Sequence, residues 1–219
     1  MRLLALDAAL GRCSAAVTAD GGVVAERWHD GRSGEAALLP VMAEAVLTQA
    51  GVRPADLDAV AATVGPGSFT GLRAALAFAQ ALSLASGAEL VGVGVVEALA
   101  EAVTPVSGRT LWVAIDSRRR DRVFLATGDK VQAVALAALP RPAGPVAVAG
   151  DAAPVVAAWL AARGHDVQLT DVRLPRARDV ARVACRRLRG DLPPLAARPL
   201  YLDAPEVRLA ADPPRPPPR

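Results

Sequence analysis

Residues 65–73, Gly-Pro-Gly-Ser-Phe-Thr-Gly-Leu-Arg, constrain the fold more than any other part of this 219-residue chain. The apolar run before them, residues 59–64, predicts a buried strand, and the Ala/Leu-rich run after them, residues 70–85, predicts a long helix. The two outer glycines permit a backbone that residues with a Cβ would resist, and the proline between them fixes one φ angle. The sequence therefore predicts a tight corner that joins a strand to a helix.

This corner is a candidate anion site, because the free N–H groups and the positive dipole end of a helix attract negative charge. Its residues are Gly65, Gly67 and Ser68. The corner contains no lysine, so it is not the Gly-x-x-x-x-Gly-Lys-Ser/Thr loop that holds nucleotide phosphates. A helix capped by Ser68 above a close-packed turn explains the same residues without a ligand.

Composition limits the other chemistry of the chain. It is 53% hydrophobic but only 3% aromatic, so few side chains are available to stack on nucleic-acid bases. Cys13 and Cys185 are far apart, and His29 and His165 have no paired spacing, so the sequence predicts no metal and no cofactor. No run reaches the roughly 18 uncharged apolar residues of a membrane span. We therefore expect a cytoplasmic protein with reduced cysteines and no membrane attachment.

Hydrophobic periodicity divides the chain into two α/β segments that open in the same way. The first strand of each segment ends in an aspartate, Asp7 in one and Asp116 in the other, which suggests a duplicated fold. A Pro/Gly boundary separates them, so we expect lobes over residues 1–104 and 105–203 and a disordered Pro/Arg-rich tail over residues 204–219. Strands are predicted over residues 3–7, 13–18, 23–28, 59–64, 89–94, 111–116, 122–127, 130–135 and 146–149, and helices over residues 34–49, 70–85, 95–103, 152–163 and 177–189.

Several of these segments together resemble the TsaB (YeaZ) family, whose members are accessory subunits of the bacterial tRNA threonylcarbamoyladenosine machinery. The resemblance covers about residues 1–203 and rests chiefly on the nonapeptide of residues 65–73. The supporting segments are Leu4-Ala-Leu-Asp7-Ala-Ala9, Cys13-Ser14, Ile115-Asp116-Ser117-Arg118, Pro175-Arg176-Ala177 and Pro199-Leu-Tyr-Leu202.

The resemblance implies a two-lobed fold of the actin, sugar kinase and Hsp70-like class, which is ribonuclease H-like, with duplicated βββαβαβα halves. It implies a noncatalytic scaffold and activator that pairs with the catalytic paralogue TsaD and works with the ATPase TsaE. The complex attaches threonylcarbamoyl to N6 of adenosine 37 in tRNA, which this chain would meet only through the complex. In isolation, the chain would instead pair with a second copy of itself as a homodimer.

The resemblance also implies that this chain lacks the chemistry of its paralogue. TsaD carries a metal-binding His-x-x-x-His after the equivalent strand, where this chain has Val95 and Leu99, which cannot ligate a metal. Superfamily ATPases follow the first-strand aspartate with x-Gly, whereas Asp7 is followed by two alanines. A vestigial nucleotide or anion site would then consist of Asp7, Gly65, Gly67, Ser68 and Asp116. The simpler reading is that both aspartates bond local backbone N–H groups.

By the same resemblance, two amphipathic helices form the interface with TsaD. The expected contact residues follow the helical period and are Leu38, Val41, Met42, Val46, Leu72, Ala75, Leu76, Ala79 and Leu82. Ala74, Ala77, Phe78 and Ala81 extend the apolar surface of the second helix beyond one buried face.

Two other functional classes remain open at this point. A small nucleotide-dependent phosphotransferase or ATPase of the same superfamily is one, although the chain is short and lacks the glycine after Asp7. A peptidase is the other, and it is disfavoured by the missing histidine pair and because nothing in the spacing brings His29 or His165 toward Ser68. A basic stripe of Arg178, Arg182, Arg186 and Arg189 could meet phosphates, but a solvated helix face is the commoner outcome.

Overall fold

A computed structural model describes residues 1–31, 35–128, 130–200 and 202. Within those residues the chain forms ten strands and five α-helices, with short 3₁₀ turns at residues 35–38, 54–56 and 136–138. The strands are β1 (Arg2–Asp7), β2 (Arg12–Ala19), β3 (Gly22–Asp30), β4 (Ala59–Gly65), β5 (Glu89–Gly94), β6 (Thr110–Asp116), β7 (Arg122–Ala126), β8 (Val131–Ala135), β9 (Val146–Ala149) and β10 (Val167–Leu169). The helices are α1 (Leu39–Ala50), α2 (Phe69–Ser86), α3 (Val95–Ala102), α4 (Ala153–Ala161) and α5 (Ala177–Leu188).

The strands of the described residues form two five-stranded sheets with the same topology. The first has the order β3-β2-β1-β4-β5 and the second β8-β7-β6-β9-β10. In each sheet the central strand pairs antiparallel with the hairpin strand on one side and parallel with the crossover strand on the other. This equivalence confirms the predicted duplication, and the two-lobed α/β fold of the actin, sugar kinase and Hsp70-like class is confirmed with it.

The first sheet is covered by helices on both faces. Leu4 and Leu6 of β1 face α1 and α2, while Leu3 and Ala5 face α5. Because both faces are buried, β1 reads as a continuous apolar run rather than as an alternating one. The second sheet packs α4 on one face, and its other face joins the first lobe.

The last helix of each half packs against the sheet of the other half. Val95 and Leu99 of α3 are fully buried beside Val113 and Ile115 of β6. In the reverse direction, α5 follows the second sheet in the chain but packs on the first. The division of the chain at residue 104 stays a prediction, and α5 belongs by packing to the first lobe.

After α5, residues 191–200 run back along the first sheet toward the corner. The N–H of Gly92 donates to the carbonyl of Leu195 at 3.1 Å, and the N–H of Leu200 donates to Val64 at 2.7 Å. Arg187 of α5 fixes the start of this segment through the carbonyl of Pro193 at 2.6 Å. A buried guanidinium with several partners is a strong anchor, so α5 and this segment hold the sheet edge together.

One detail that the resemblance implied is wrong, and one strand was not predicted. Within the described part of the second half no α-helix stands between β8 and β9, where a 3₁₀ turn at residues 136–138 and a Pro-rich loop replace the counterpart of α1. The strand β10 was not predicted, because three residues with one partly buried valine carry no periodic signal. The predicted tail, residues 204–219, lies outside the described residues. No helix in the described ranges is long and apolar enough to cross a membrane.

Candidate functional site

The corner at residues 65–71 is closed by the turn that joins β1 to β2. The N–H of Ser68 donates to the carbonyl of Ala9 at 2.6 Å. A Cβ on Gly67 would lie closer than 3.0 Å to that same carbonyl oxygen, and one on Gly71 would overlap the carbonyl oxygen of Ala8. The start of α2 therefore rests directly on the β1–β2 backbone, and one of the N–H groups that could hold an anion is already used.

The predicted tight corner and the predicted N-cap role of Ser68 are confirmed, whereas anion binding at this corner stays a prediction. Gly65 has a φ of 122°, a region that residues with a side chain rarely adopt, and Leu200 lies against it. Ser68 is the N-cap of α2, and its Oγ accepts from the N–H of Gly71 at 3.3 Å. A hydroxyl in this position serves helix capping, which explains Ser68 without a nucleophilic role.

Asp7 is completely buried at the end of β1. Its Oδ1 accepts from the hydroxyl of Thr63 at 2.8 Å and from the N–H of Ala9 at 3.2 Å, while Oδ2 has no hydrogen-bond partner among the described residues. Burial raises the pKa of Asp7 to about 7, because removal from water disfavours the carboxylate more than the two hydrogen bonds favour it. Asp7 thus braces the β1–β2 turn, and the bond to Ala9 is the local contact that the sequence suggested.

Asp116, the counterpart of Asp7 in the second lobe, lies in a more open place. Its Oδ1 accepts from the N–H of Arg118 at 2.9 Å, again a local contact. Its own N–H donates to the carboxylate of Asp151 at 2.8 Å, and the Arg118 guanidinium lies 3.9 Å from that carboxylate. Burial raises the pKa of Asp151. The hydrogen bond from Asp116 and the charge of Arg118 act in the opposite direction but do not cancel this rise.

A cleft of about 820 Å³ lies between the corner and the second lobe. Among the described residues its lining includes Ala8, Gly67, Ser68, Ser117 and Arg118 but neither of the two strand-end aspartates. The cleft is large enough for a small molecule. Of the five residues of the predicted site, only Gly67 and Ser68 belong to this lining, so the structure does not bring the five together around one opening.

The two positions where the resemblance places the metal ligands of TsaD are core positions in this chain. Val95 and Leu99 are fully buried between the lobes. Within the described ranges, no group of three or more His, Cys, Asp or Glu side chains converges as a metal site would require. His29 lies on the edge strand β3, and His165 follows α4 in the second lobe.

The structure corrects the predicted partner-binding stripes. Five of the nine expected contact residues are core residues with at most 3% of their surface exposed: Val46, Leu72, Ala75, Leu76 and Ala79. Four of them are buried because the most regular apolar stripe of each helix covers its own sheet, and Leu72 is buried in the cluster between the lobes. Leu38 and Val41 are exposed, and Met42 and Leu82 are half-buried.

A different apolar surface on α1 and α2 faces outward. A groove of about 640 Å³ between the two helices is lined by Phe78 and Leu82 of α2 together with residues of α1. On the same two helices, Val41 of α1 is 65% exposed and Leu84 of α2 is 86% exposed. Ala77 and Ala81, small residues on the outward side of α2, are exposed as well. We call this groove, together with the exposed residues Val41, Ala77, Ala81 and Leu84, the α1–α2 surface.

The arginines of α5 are used mostly in ion pairs. Arg178 and Arg182 flank the buried Asp179, and Nη1 of Arg182 lies 3.0 Å from its Oδ1. Burial raises the pKa of the Asp179 carboxyl. Arg186 pairs with Glu101 at 3.2 Å. This pattern fits the solvated helix face that the sequence also allowed.

Sequence reasoning missed three residues that shape these sites. Thr63 carries no signal, since a threonine within an apolar strand is common. Asp151 has one: it follows a glycine directly after the buried strand β9, much as Asp7 and Asp116 end their strands. Arg187 is hidden by its exposed neighbours in the same arginine-rich helix, although it is itself buried against Gly92 and Glu97.

The fold and the closed corner define a two-lobed α/β protein of the actin, sugar kinase and Hsp70-like class. The family model described as "TsaD: tRNA N6-adenosine threonylcarbamoyltransferase" matches residues 14–160. The tRNA threonylcarbamoyladenosine biosynthesis protein TsaB of Escherichia coli (strain K12) is 34% identical over 144 residues, which are 61% of this chain and 62% of that protein. The tRNA N6-adenosine threonylcarbamoyltransferase of Erythrobacter litoralis is 44% identical over 80 residues, 35% of this chain and 22% of that protein.

A solved structure described as YeaZ from Pseudomonas aeruginosa matches almost the whole fold. It covers 92% of this chain and 99% of its own, with a TM-score of 0.73 and 26% identity. The transferase relative matches only a segment, whereas this likeness extends over both lobes. The chain belongs to the TsaB (YeaZ) family, which confirms the resemblance seen in the sequence.

Proposed function

We propose that this chain is a noncatalytic scaffold and activator subunit of a bacterial tRNA N6-threonylcarbamoyladenosine synthase, acting in the cytoplasm. Family membership supports the pathway, since its curated relatives carry the name of that biosynthesis. In this proposal the α1–α2 surface binds the catalytic subunit TsaD, and the ATPase TsaE joins the same assembly.

The α1–α2 surface is the observation that carries the proposal. Val41 and Leu84 leave most of their apolar side chains in water, which a stable interface would bury. The exposed alanines of α2 allow another helix to approach closely. The matched segment of this chain is itself TsaD-like, so a TsaD helix pair would meet a surface of similar shape in a pseudo-symmetric contact. The same reasoning predicts a homodimer when TsaD is absent.

The noncatalytic part rests on the burial of Val95 and Leu99. These side chains fill the space between the lobes, where the resemblance places the metal ligands of TsaD. The chain would act by holding TsaD in its active conformation, which requires a larger affinity for that conformation than for others.

Reconstitution tests this proposal directly. Purified TsaD, TsaE, tRNA and the threonylcarbamoyl adenylate are combined with and without this chain, and the modified nucleoside is measured by mass spectrometry. We expect modification to depend on the chain. Equal modification without it, or hydrolysis of ATP or peptide by the chain alone, would contradict the proposal.

The cleft beside Ser68 and Arg118 favours one alternative, a small nucleotide-dependent phosphotransferase or ATPase. The bond from Ser68 to Ala9 opposes it, because it uses an N–H that would otherwise face a phosphate. Calorimetric titration with ATP and Mg²⁺ separates the two functions. Saturable binding that Arg118→Ala abolishes, together with turnover, would favour the phosphotransferase.

A further inference from the structure

The second lobe contains a pocket that shares no lining residue with the cleft or with the α1–α2 surface. Its volume is about 530 Å³, within the range of small-molecule sites. Two chain segments form it: the end of α4 with the residues after it, and the loop that replaces the missing helix before β9. The lining residues are Ala137, Leu139, Arg141, Trp159, Arg163 and His165.

The ionisable side chains of the pocket are all basic. No acidic residue belongs to its lining in the described part of the chain. The neighbouring Asp166 is held by Arg109, whose Nη1 donates to the carboxylate at 2.7 Å. Arg141 has no ion pair among the described residues. The pocket therefore carries uncompensated positive charge inside a concave surface, where attraction for an anion is stronger than on a flat one.

Arg163 is held in place before any ligand arrives. Its guanidinium lies 3.7 Å from the centre of the Trp159 ring, and its Nη1 donates to the Trp159 carbonyl at 3.2 Å. A guanidinium has five N–H donors, so several remain for an anion. The dipole of α4 also favours a cation near the C-terminal end of that helix, which explains why Arg163 lies here but does not explain Arg141. Arg141 comes from a different loop and has no such reason to lie here.

We propose that this pocket binds a phosphate group, a role beyond the function proposed above and independent of it. Planar guanidinium groups match the oxygens of a phosphate in pairs, and stacking on Trp159 lowers the entropy lost when Arg163 is fixed. The phosphate has two sources with the same chemistry, a small phosphate compound or the backbone of an RNA strand.

The test uses the full chain and three probes at low salt. Inorganic pyrophosphate and AMP are titrated by calorimetry, and a fluorescent single-stranded RNA of about ten nucleotides is followed by anisotropy. The variant Arg141→Gln/Arg163→Gln removes two charges from the pocket. The control Arg27→Gln/Arg120→Gln removes two charges from exposed positions outside the pocket. Circular dichroism checks that both variants are folded.

We expect the pocket variant to bind at least one probe about tenfold or more weakly, the effect of losing charge-assisted hydrogen bonds. The control should change binding by less than about twofold. Pyrophosphate or AMP binding without RNA binding assigns a small phosphate compound. If RNA binds and pyrophosphate displaces it, the ligand is RNA. In that case the slope of log K against log salt should become shallower by about 0.7 for each contact that the variant loses. The proposal is overturned if no probe binds, or if the two variants weaken binding equally.

Discussion

The contact between the glycine corner and the β1–β2 turn makes Gly71→Ala a diagnostic substitution. In the interior of an ordinary helix, replacing glycine by alanine stabilises the protein by about 1 kcal/mol. Here the new Cβ would overlap the carbonyl oxygen of Ala8, which belongs to the backbone and cannot rotate away. Either α2 or the turn must therefore move.

The size of the effect follows from competing contributions. Overpacking that displaces backbone costs about 1–3 kcal/mol, and this overlap places the change at the upper end. Movement would also weaken the hydrogen bond from Ser68 to Ala9, worth about 1 kcal/mol. These losses exceed the gain in helix propensity, so Gly71→Ala should destabilise the protein by about 2–3 kcal/mol.

Urea denaturation followed by circular dichroism measures this change. The control is Gly144→Ala, at a loop glycine with no heavy atom near the added Cβ and no positive φ. It should alter the free energy of unfolding by no more than about 0.5 kcal/mol. A Gly71→Ala protein as stable as the unsubstituted one, or more stable, would refute the closed corner.

Two further predictions concern buried charges. Because burial raises the pKa of Asp7 from 3.8 to about 7, the folded protein holds the proton of this carboxyl more tightly than the unfolded chain does. The stability of the protein relative to Asp7→Asn should therefore fall as pH rises from about 4 to about 7. Thermal unfolding measures this difference, and a difference that does not change with pH would contradict the prediction. Replacing Arg187 by methionine should cost about 3 kcal/mol, because its bonds to the carbonyl of Gly92 and to Glu97 are lost. The same substitution at its exposed neighbour Arg186 should cost less than about 1 kcal/mol in urea denaturation, so equal losses would contradict the anchoring role of Arg187.

The sequence predicted the strands, the helices and the duplication well because their signals are local. Buried parallel strands such as β4 are continuous apolar runs, and the ends of α2 carry a serine N-cap and Gly87 as a left-handed C-cap. The aspartates at the ends of β1 and β6 revealed the repeat. The missing second-lobe helix and β10 lie where such signals are absent.

Surface and site were harder to predict, because apolar periodicity does not distinguish a buried stripe from a binding stripe. On α2 the regular stripe of Ala75 and Ala79 serves the core, and only the exposed fraction of Leu84 identifies the outward face. Likewise, the corner's glycines indicated a close approach but not what approaches. The carbonyl of Ala9 accepts the N–H of Ser68, a donor that a phosphate at this helix start would otherwise use.

The direct test of the central claim is the affinity of this chain for TsaD after one matched pair of substitutions. Val41→Arg places a charge on the α1–α2 surface, whereas Val155→Arg places it on α4 of the second lobe, where the valine is also exposed. Arginine at Ala75 or Ala79 would be a poor test, because both are core positions. By calorimetry, we predict that Val41→Arg weakens binding at least about tenfold and that Val155→Arg leaves it unchanged. Equal affinities of the two variants for TsaD would contradict the account.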